Sequence, residues 1–297
     1  MTNNMLEKKK MNILIAINDG YFKPARVMLT SLCENNSFEK HQIYLLYSEL
    51  SEKNIHLLRE CLAQYESELI DIFVDKEKFE GLPTSHHFTI ETYYRFLMQS
   101  MVPESLDRIL WLDADMIVKG NMKEFYYQDF NGNNVVVCQS INSNTAPLLK
   151  KLCLKEDTVY FNAGIILFNL NQIRKCITPN VYFEYARDNA DKITWLDQDV
   201  LNVIFADTKK VADYKIYNMQ HFSDTNFDKE DLKRMENENC VLHYIGHIKP
   251  WHYKFTNKTL KYYRRYAKRY EGVIERWKFT CLHMLYVLKR KLSEVKQ

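Results

Sequence analysis

Two aspartates at the end of an apolar run are the residues best suited to chemistry in this chain. In residues 108–118, four apolar residues lead to Asp113 and Asp115, and three more follow. Side chains two positions apart on an extended chain point the same way, so both carboxylates can converge on one cation. Mg²⁺ and Mn²⁺ prefer such oxygen ligands. One aspartate after a strand often caps a turn, but a buried charge must be paired or metal-bound, so two favour a metal site.

Three later stretches also place polar residues beside apolar ones. Residues 160–170 pass through Gly164 into an apolar strand, and glycine there permits close approach of a ligand to the backbone. Residues 197–199, Asp-Gln-Asp, precede an apolar helix over residues 200–205, where acidic residues can equally be helix caps. Residues 242–252 combine three histidines with a glycine and a lysine. A single histidine is usually structural, but this combination favours a function, with the basic charge of the tail as the alternative explanation for Lys249.

These residues need an α/β framework to bring them together. Apolar runs at residues 13–17, 42–47 and 69–74 predict buried strands, and the Asp-Ala-Asp strand is the fourth. Strands that alternate with helices form a mostly parallel, Rossmann-like sheet with right-handed crossovers. Residues 18–21 form a turn after the first strand, at the edge where open parallel sheets bind ligands. Further strands are predicted at residues 135–138 and 160–170, and helices at residues 23–34, after Ser51, and at residues 89–101, 148–154 and 180–189.

The sequence lacks both glycine-rich phosphate-binding motifs. There is no G-x-G-x-x-G after the first strand and no G-x-x-x-x-G-K-[ST] anywhere. A phosphate-containing ligand would therefore be held by a metal ion rather than by a glycine loop.

Composition indicates a soluble, cytoplasmic α/β protein. The 297 residues suffice for one large domain. The seven cysteines are scattered without a C-x-x-C pair, so we expect neither a disulfide framework nor a zinc cluster. Residues 1–10 are polar and basic and predict a disordered leader. The apolar run at residues 11–17 is too short for a signal sequence or a membrane span.

Residues 254–297 differ in charge from the rest of the chain. They hold 13 of the 41 Lys and Arg residues but 3 of the 38 Asp and Glu residues, so they carry +10 and residues 1–253 carry −7. This distribution argues against a nucleic-acid-binding core. It predicts a basic helical tail appended to a catalytic domain over residues 11–253.

The tail also has an amphipathic pattern. From Trp277, apolar residues recur at helical spacing among lysines and arginines, and four tyrosines alternate with basic residues upstream. Such a segment suits an anionic membrane surface, which would make the protein peripheral on the inner face of the cell membrane, or a partner protein. The alternative is that ordinary helices cover the sheet and bury this stripe. The residues concerned are Tyr262, Tyr263, Tyr266, Tyr270, Cys281, Met284, Leu285, Leu288, Leu292 and Val295.

Four motifs, in order, resemble those of glycosyltransferase family 8 over about residues 11–252. Asp113-Ala114-Asp115 matches the Asp-X-Asp motif of the family, and residues 162–164 match Asn-Ala-Gly. Residues 197–199 match Asp-Gln-Asp, and residues 243–251 match His-Tyr-x-Gly-x-x-Lys-Pro-Trp. Asp-X-Asp alone would be weak, but four motifs in order at compatible spacings are specific.

The resemblance implies a GT-A fold and a retaining transfer of galactose or glucose from a UDP-sugar to a glycan or glycolipid. By that resemblance Asp113, Asp115 and His243 would hold Mn²⁺, with Mg²⁺ as the alternative. The cation would neutralise charge on the nucleoside diphosphate as it leaves. Lys249 and the backbone of Gly246 match the diphosphate contacts of the family.

The resemblance also implies roles around the donor sugar. Gln198 matches the residue on the reactive face of the sugar, and because an amide is a poor nucleophile, front-face attack through an ion-pair-like intermediate explains retention. The amide oxygen of Gln198 would steady the developing positive charge, and Asp197 would bind sugar hydroxyls. Arg95 would contact the donor or orient the aspartates, with a structural salt bridge as the alternative. Ala114, Asn162, Ala163 and Gly164 complete the predicted donor-binding set.

The nucleoside motif departs from the family pattern. The family commonly has Ala-x-Asp-x-x-Tyr, whereas this chain has Asn18 at the aspartate position and keeps Tyr21. Asn18 can still accept a hydrogen bond from uracil N3–H, and Tyr21 can stack on the base. The acceptor side is expected in the loops at residues 76–88 and 139–147, near Asn142, and their composition names no sugar.

Two other functions compete with this interpretation. Haloacid-dehalogenase-type phosphatases also carry Asp-x-Asp after a strand, but near the start of the domain and with Thr or Val where Ile117 stands. A nucleotide-sugar-binding protein without turnover is the other alternative, and intact Asp113, Asp115, Gln198 and His243 argue against it. Release of UDP from a UDP-sugar in the presence of Mn²⁺ would separate the three.

Overall fold

Two β-sheets form the framework, in a computed structural model that describes residues 10–83, 90–141, 145–237 and 240–294. The strands within these ranges are β1 (Lys10–Ala16), β2 (Lys40–Tyr47), β3 (Glu68–Phe73), β4 (Arg108–Leu112), β5 (Met116–Val118), β6 (Val135–Gln139), β7 (Phe161–Asn169), β8 (Lys209–Ala212), β9 (Met219–His221) and β10 (Val241–Tyr244).

The larger sheet has seven strands among the described residues, in the order β3-β2-β1-β4-β7-β6-β8. Its neighbouring strands are parallel except at β7, which runs antiparallel to both β4 and β6. The smaller sheet has the order β5-β10-β9, with β10 antiparallel to β5 and parallel to β9. The predicted α/β fold with a mostly parallel sheet is confirmed.

Helices cover both faces of the larger sheet, because its central strands are apolar on both sides. In β1, Ile13 and Ile15 pack with the first two helices, whereas Leu14 packs with residues 90–97 on the opposite face. The helices are α1 (Phe22–Asn35), α2 (Glu52–Ala63), α3 (Lys123–Tyr127), α4 (Ala146–Lys151), α5 (Leu170–Cys176), α6 (Val181–Asp188), α7 (Asp197–Ile204), α8 (Tyr214–Tyr217), α9 (Lys229–Asn237), α10 (Leu260–Ala267) and α11 (Val273–Glu294).

The segment predicted as an α-helix over residues 89–101 is different in the structure. Residue 89 lies outside the described residues, and Ile90–Leu97 forms a 3₁₀ helix. Residues 93–97 are all buried. The apolar pattern therefore correctly indicated a buried helical segment but not its 3₁₀ geometry.

The run through Asp113 and Asp115 is two strands rather than one. β4 ends at Leu112 in the larger sheet, and β5 begins at Met116 in the smaller one. The backbone N–H of Asp113 donates to Gly164 O at 2.9 Å, and that of Tyr244 donates to Asp115 O at 3.0 Å. The two aspartates therefore lie where the chain crosses from one sheet to the other.

The basic C-terminal segment divides into two parts. Tyr263 and Tyr266 of α10 are buried, each 4% exposed, in a cluster with β10. The tyrosines of this part were predicted to lie at a membrane surface, and for these two the structure corrects that, because their rings fill the core beside the smaller sheet. α11 is different, since Ile274 and Trp277 are 84% and 73% exposed. Val295, the last apolar residue of the predicted stripe, lies outside the described residues.

No helix in the described part of the chain combines the length and apolar character needed to cross a bilayer.

Candidate functional site

Three side chains from two elements form a cluster that can hold a metal ion. One ligand atom each from Asp113, Asp115 and His243 can be chosen so that all lie within 4.8 Å of one another. His243, in β10, places Nε2 3.3 Å from Asp115 Oδ1 and 3.9 Å from Asp113 Oδ2. Two carboxylates and one imidazole are a donor set that Mn²⁺ and similar divalent cations accept. The cluster therefore fits a divalent cation.

Lys249 provides a positive charge at the same place. Its Nζ donates to Asp115 Oδ2 and to Tyr244 O, at 2.6 Å in each case. Burial alone would raise the pKa of Asp115, but Lys249 and His243 hold it well below its usual range. Asp115 is therefore ionised at neutral pH and available to a cation.

Gly246 makes the loop between His243 and Lys249 possible. Its φ of +87° is a left-handed conformation that favours glycine. A Cβ at this position would lie 2.7 Å from Phe222 Cδ1. Any other residue would therefore strain the turn that carries Lys249 back to Asp115.

Arg95 joins the cation cluster to the Asp-Gln-Asp motif. It is 5% exposed, donates from Nη2 to Asp113 Oδ1 at 3.1 Å, and also donates to Ala163 O. Its Nε lies 2.9 Å from Asp197 Oδ2, and its guanidinium lies 4.3 Å above the Trp111 ring. The structure thus places Arg95 between two aspartates rather than at an open surface.

Asp197 is a buried carboxylate that pairs with Arg95. Its Oδ2 lies 2.9 Å from Arg95 Nε, whose N–H donates to Thr92 O at 3.0 Å. Burial, with the nearby charge of Asp113, raises the pKa of Asp197 to about 6, although Arg95 opposes the shift. A ligand hydroxyl would have to displace part of this pairing to bind Asp197.

Asp199, the second aspartate of the motif, shapes the turn before α7. Its Oδ2 accepts the N–H groups of Thr194 and Trp195 at 2.6 and 2.7 Å, and its Oδ1 accepts the hydroxyl of Tyr160 at 2.5 Å. Leu196, which follows Trp195, has a φ of +47°, and this backbone conformation is uncommon for a residue other than glycine. Asp199 therefore acts on the backbone conformation, whereas Asp197 pairs with Arg95 and Gln198 with Asn162.

Gln198 and Asn162 are linked through their amides. Gln198 Oε1 accepts from Asn162 Nδ2 at 3.1 Å and from the Ala163 N–H at 3.0 Å, and Gln198 Nε2 donates to the Tyr160 hydroxyl at 3.0 Å. The amide oxygen predicted to face the donor sugar thus already accepts two hydrogen bonds. It would have to exchange one of them to act on a ligand.

Position 164 requires a glycine for a steric reason that the sequence did not reveal. A Cβ there would lie 2.4 Å from His243 Cε1 and 2.9 Å from Met116 Cε. The close approach predicted for a ligand is made by the His243 ring, so the glycine in β7 makes room for a member of the cation cluster on β10. Ala114, between the aspartates, is buried at 7% exposure.

The predicted nucleoside residues lie at the carboxyl end of β1. Asn18 Oδ1 accepts the Gly20 N–H at 3.0 Å, so this amide oxygen already stabilises the turn. A cavity of about 570 Å³ opens beside Asn18, and its lining includes Ser48 and Ser51, which follow the end of β2. Tyr21 packs edge-on against Trp251 with ring centroids 5.7 Å apart.

Sequence reasoning missed three residues of the site. Trp111 donates from Nε1 to Asp113 Oδ1 at 2.8 Å, and its position two residues before Asp113 on the same strand face was a usable signal. Tyr160 is hydrogen-bonded to the Gln198 amide, and Asn218 is hydrogen-bonded to the Asn162 amide. For Asn218 the sequence carries no local signal. Asn142, suggested for the acceptor side, lies outside the described residues, as do residues 84–88.

Comparison with known proteins gives consistent matches. The profile of Glycosyl transferase family 8 matches residues 12–255. A lipopolysaccharide 1,2-glucosyltransferase of Escherichia coli is 27% identical over 265 residues, which cover 87% of this chain and 78% of that protein. A lipopolysaccharide 1,3-galactosyltransferase of Salmonella typhimurium is 29% identical over 251 residues, covering 82% and 73%.

Two solved glycosyltransferases share this fold. The galactosyltransferase LgtC, solved in complex with donor and acceptor sugar analogues, has a TM-score of 0.77 at 23% identity, covering 90% of this chain and 99% of LgtC. The glycosyltransferase GlyE of Streptococcus pneumoniae has a TM-score of 0.67 at 20% identity, covering 95% of this chain and 64% of GlyE. The two-sheet α/β architecture is the GT-A fold.

Proposed function

The chain belongs to glycosyltransferase family 8, and we propose that it transfers a hexose, galactose or glucose, from a UDP-sugar to a glycan or glycolipid acceptor with retention of configuration. Family membership rules out the phosphatase interpretation. One observation carries the proposal: Arg95 joins a cation-binding cluster to the buried carboxylate of Asp197. Such an arrangement suits a ligand that has a diphosphate at one end and hydroxyl groups at the other.

Asp113, Asp115 and His243 would hold the divalent cation, which we propose to be Mn²⁺. The bound cation would stabilise negative charge on the diphosphate leaving group. Lys249 adjoins this cluster and can turn its ammonium group from Asp115 to a phosphate oxygen. Because the side chains of Lys249 and Asp115 are each only 12% exposed, these charges act with little screening by water.

The donor sugar would lie against Asp197 and Gln198. Asp197, which is positioned by Arg95, would accept a hydrogen bond from a sugar hydroxyl. The Gln198 amide, held by Asn162 and Tyr160, would face the anomeric centre. An amide held in this way is suited to stabilising positive charge and not to covalent attack, which supports retention by front-face attack.

We further propose that α11 brings the enzyme to an anionic membrane surface that carries a lipid-linked acceptor. Several apolar residues of α11 are more than half exposed, and lysines and arginines lie along the same helix. This combination suits the interface between headgroups and acyl chains. The exposed apolar residues are Val273, Ile274, Trp277, Met284, Leu285, Leu288 and Leu292.

The direct test measures UDP release by the full-length protein from a panel of UDP-sugars with Mn²⁺, and then with glycan acceptors. We expect UDP-galactose or UDP-glucose to be hydrolysed slowly alone and faster with a suitable acceptor, and chelation to stop both reactions. NMR of the product should show an α-linkage. A β-linked product would contradict retention, and donor binding without UDP release under any condition would support a binding protein instead.

A further inference from the structure

We infer that Asn218 is a positioning residue that holds the Nδ1–H of His243, so that Nε2 is the ring nitrogen turned towards Asp113 and Asp115. The inference rests on the proposed cation site, because only an unprotonated ring nitrogen can donate its lone pair to a metal. The imidazole itself has only a weak preference between its two nitrogens. The nitrogen that keeps its proton when a cation binds is therefore set by the hydrogen bond that this nitrogen makes.

Two backbone N–H groups of β7 fix the orientation of the neighbouring amides. The Ala163 N–H donates to Gln198 Oε1, and the Gly164 N–H donates to Asn162 Oδ1, both at 3.0 Å. A backbone N–H can only donate, so the amide atom that faces it must be oxygen. The side-chain amides of Gln198 and Asn162 therefore have a single orientation in this network.

Asn218 is oriented by Asn162 in turn. Asn162 Oδ1 accepts a second hydrogen bond, at 2.9 Å, and its partner must be a donor. That donor is Asn218 Nδ2, which leaves Asn218 Oδ1 facing His243 Nδ1 at 2.9 Å. An oxygen at this position can only accept, so Nδ1 carries a proton, and Nε2 is the ring nitrogen that faces the cation site.

The burial of these groups makes the orientation strict. Asn218 is 0% exposed and His243 is 3% exposed, so water cannot replace a lost partner. Reversing the Asn218 amide would place its oxygen against Asn162 Oδ1 and leave a buried amide group unsatisfied, which is costly. The backbone N–H groups on β7 thus determine the orientation of the Asn218 amide, and Asn218 in turn determines which ring nitrogen of His243 on β10 faces the cation site.

The first test reads the tautomer of His243 in the full-length, ¹⁵N-labelled protein without metal. Long-range ¹H–¹⁵N correlation distinguishes a protonated from an unprotonated ring nitrogen, and a His243→Gln variant assigns the signal among the nine histidines. We expect Nδ1 to carry a proton, whether or not the neighbouring Asp115 also holds a proton on Nε2. A proton on Nε2 alone would overturn the inference. Because no metal or donor is added, this result does not depend on the proposed transferase activity.

The second test compares Mn²⁺ affinity among variants by calorimetry. Asn218→Leu removes the acceptor, and we expect it to change the tautomer signal and to weaken Mn²⁺ binding by about 10- to 100-fold. Asn218→Asp keeps an acceptor for Nδ1–H but places an oxygen against Asn162 Oδ1, so we expect it to retain the tautomer and most of the affinity at a lower Tm. Asn36→Leu is a matched control, since Asn36 is also 0% exposed but bonds Leu32 O and Gly120 O away from the site.

The variants separate positioning from stability. If Asn218→Leu and Asn36→Leu lower Tm alike and only the first loses Mn²⁺ affinity, Asn218 acts through His243. Wild-type Mn²⁺ affinity in a folded Asn218→Leu variant would overturn the inference. If neither leucine variant folds, the tautomer of the wild-type protein and of Asn218→Asp still decides it.

Discussion

The cluster around Asp115 and the helix α11 both carry many charges, but the cluster is buried and its charges are paired, whereas α11 is largely exposed. In the cluster, Arg95, Asp197 and His243 are each no more than 5% exposed and pair with groups from distant parts of the chain. In α11, Ile274 and Trp277 are 84% and 73% exposed, and the contacts of this helix include an exposed pair between Glu275 and Lys23.

The difference indicates where single residues matter. A buried charge that loses its partner has no water to replace it, so one substitution in the cluster should have a large effect. An exposed pair contributes little, so α11 as a whole should be dispensable for chemistry. Substitutions and a truncation can test this contrast, starting with the largest expected effect.

Asp115→Ala should lower UDP-sugar hydrolysis by on the order of 1,000-fold, since removing a ligand of the cation loses several kcal/mol of charge stabilisation. The fold should survive, because Lys249 keeps its hydrogen bond to Tyr244 O. Initial rates and circular dichroism measure the two effects. Asp207→Ala is the control, since its side chain is 81% exposed, and it should behave as wild type. A rate insensitive to chelator would contradict the metal site.

Gln198→Ala should lower turnover by roughly 100-fold while changing donor affinity little, because the amide is proposed to act on charge that develops in the transition state. Single-turnover rates measure the first quantity, and calorimetry with the UDP-sugar measures the second. Loss of binding in proportion to rate would instead show that Gln198 holds the ground state.

Asp197→Asn should raise Tm at pH 7.5 in the metal-free protein, although it should impair transfer. The pKa of Asp197 is raised from 3.8 to about 6, so between these values the folded state holds a proton that the unfolded state has lost. Stability therefore falls as pH rises through this window and stays lower above it, by on the order of 3 kcal/mol. Thermal melts from pH 4 to 8 should show a flatter dependence for Asp197→Asn. An equal fall of Tm with pH in the wild type and in Asp197→Asn would show that another group causes the pH dependence.

Removing residues 273–297 should have the smallest effect on hydrolysis, leaving the rate within about twofold and Tm nearly unchanged. The same truncation should abolish sedimentation with anionic liposomes at low salt, and wild-type sedimentation should weaken at high salt as charges are screened. Truncation before residue 260 is the contrasting variant, and it should aggregate because Tyr263 and Tyr266 belong to the core. An intact protein that ignores liposomes at every salt concentration would argue against membrane docking.

Much of the framework could be predicted because its signals are local. The apolar run of β1 and the spacing of Ile55, Leu58 and Leu62 in α2 are burial patterns that depend on neighbouring residues alone. The chemistry of Asp113 and Asp115 was visible for the same reason, since two carboxylates in an apolar run must be paired or metal-bound. The order of the motifs was likewise sufficient to recognise the family.

The sequence by itself therefore determined the α/β class, the family and the residue types of the cation cluster. Only the tertiary structure decided that the chain changes sheets between Asp113 and Asp115, that Gly164 makes room for His243, and that Asn218 bonds the His243 ring. It also decided that α10 packs Tyr263 and Tyr266 into the core whereas α11 leaves most of its apolar residues exposed, although both helices are basic and amphipathic. Each of these outcomes depends on which strands and helices pair across long separations, and local periodicity carries no information about such pairing.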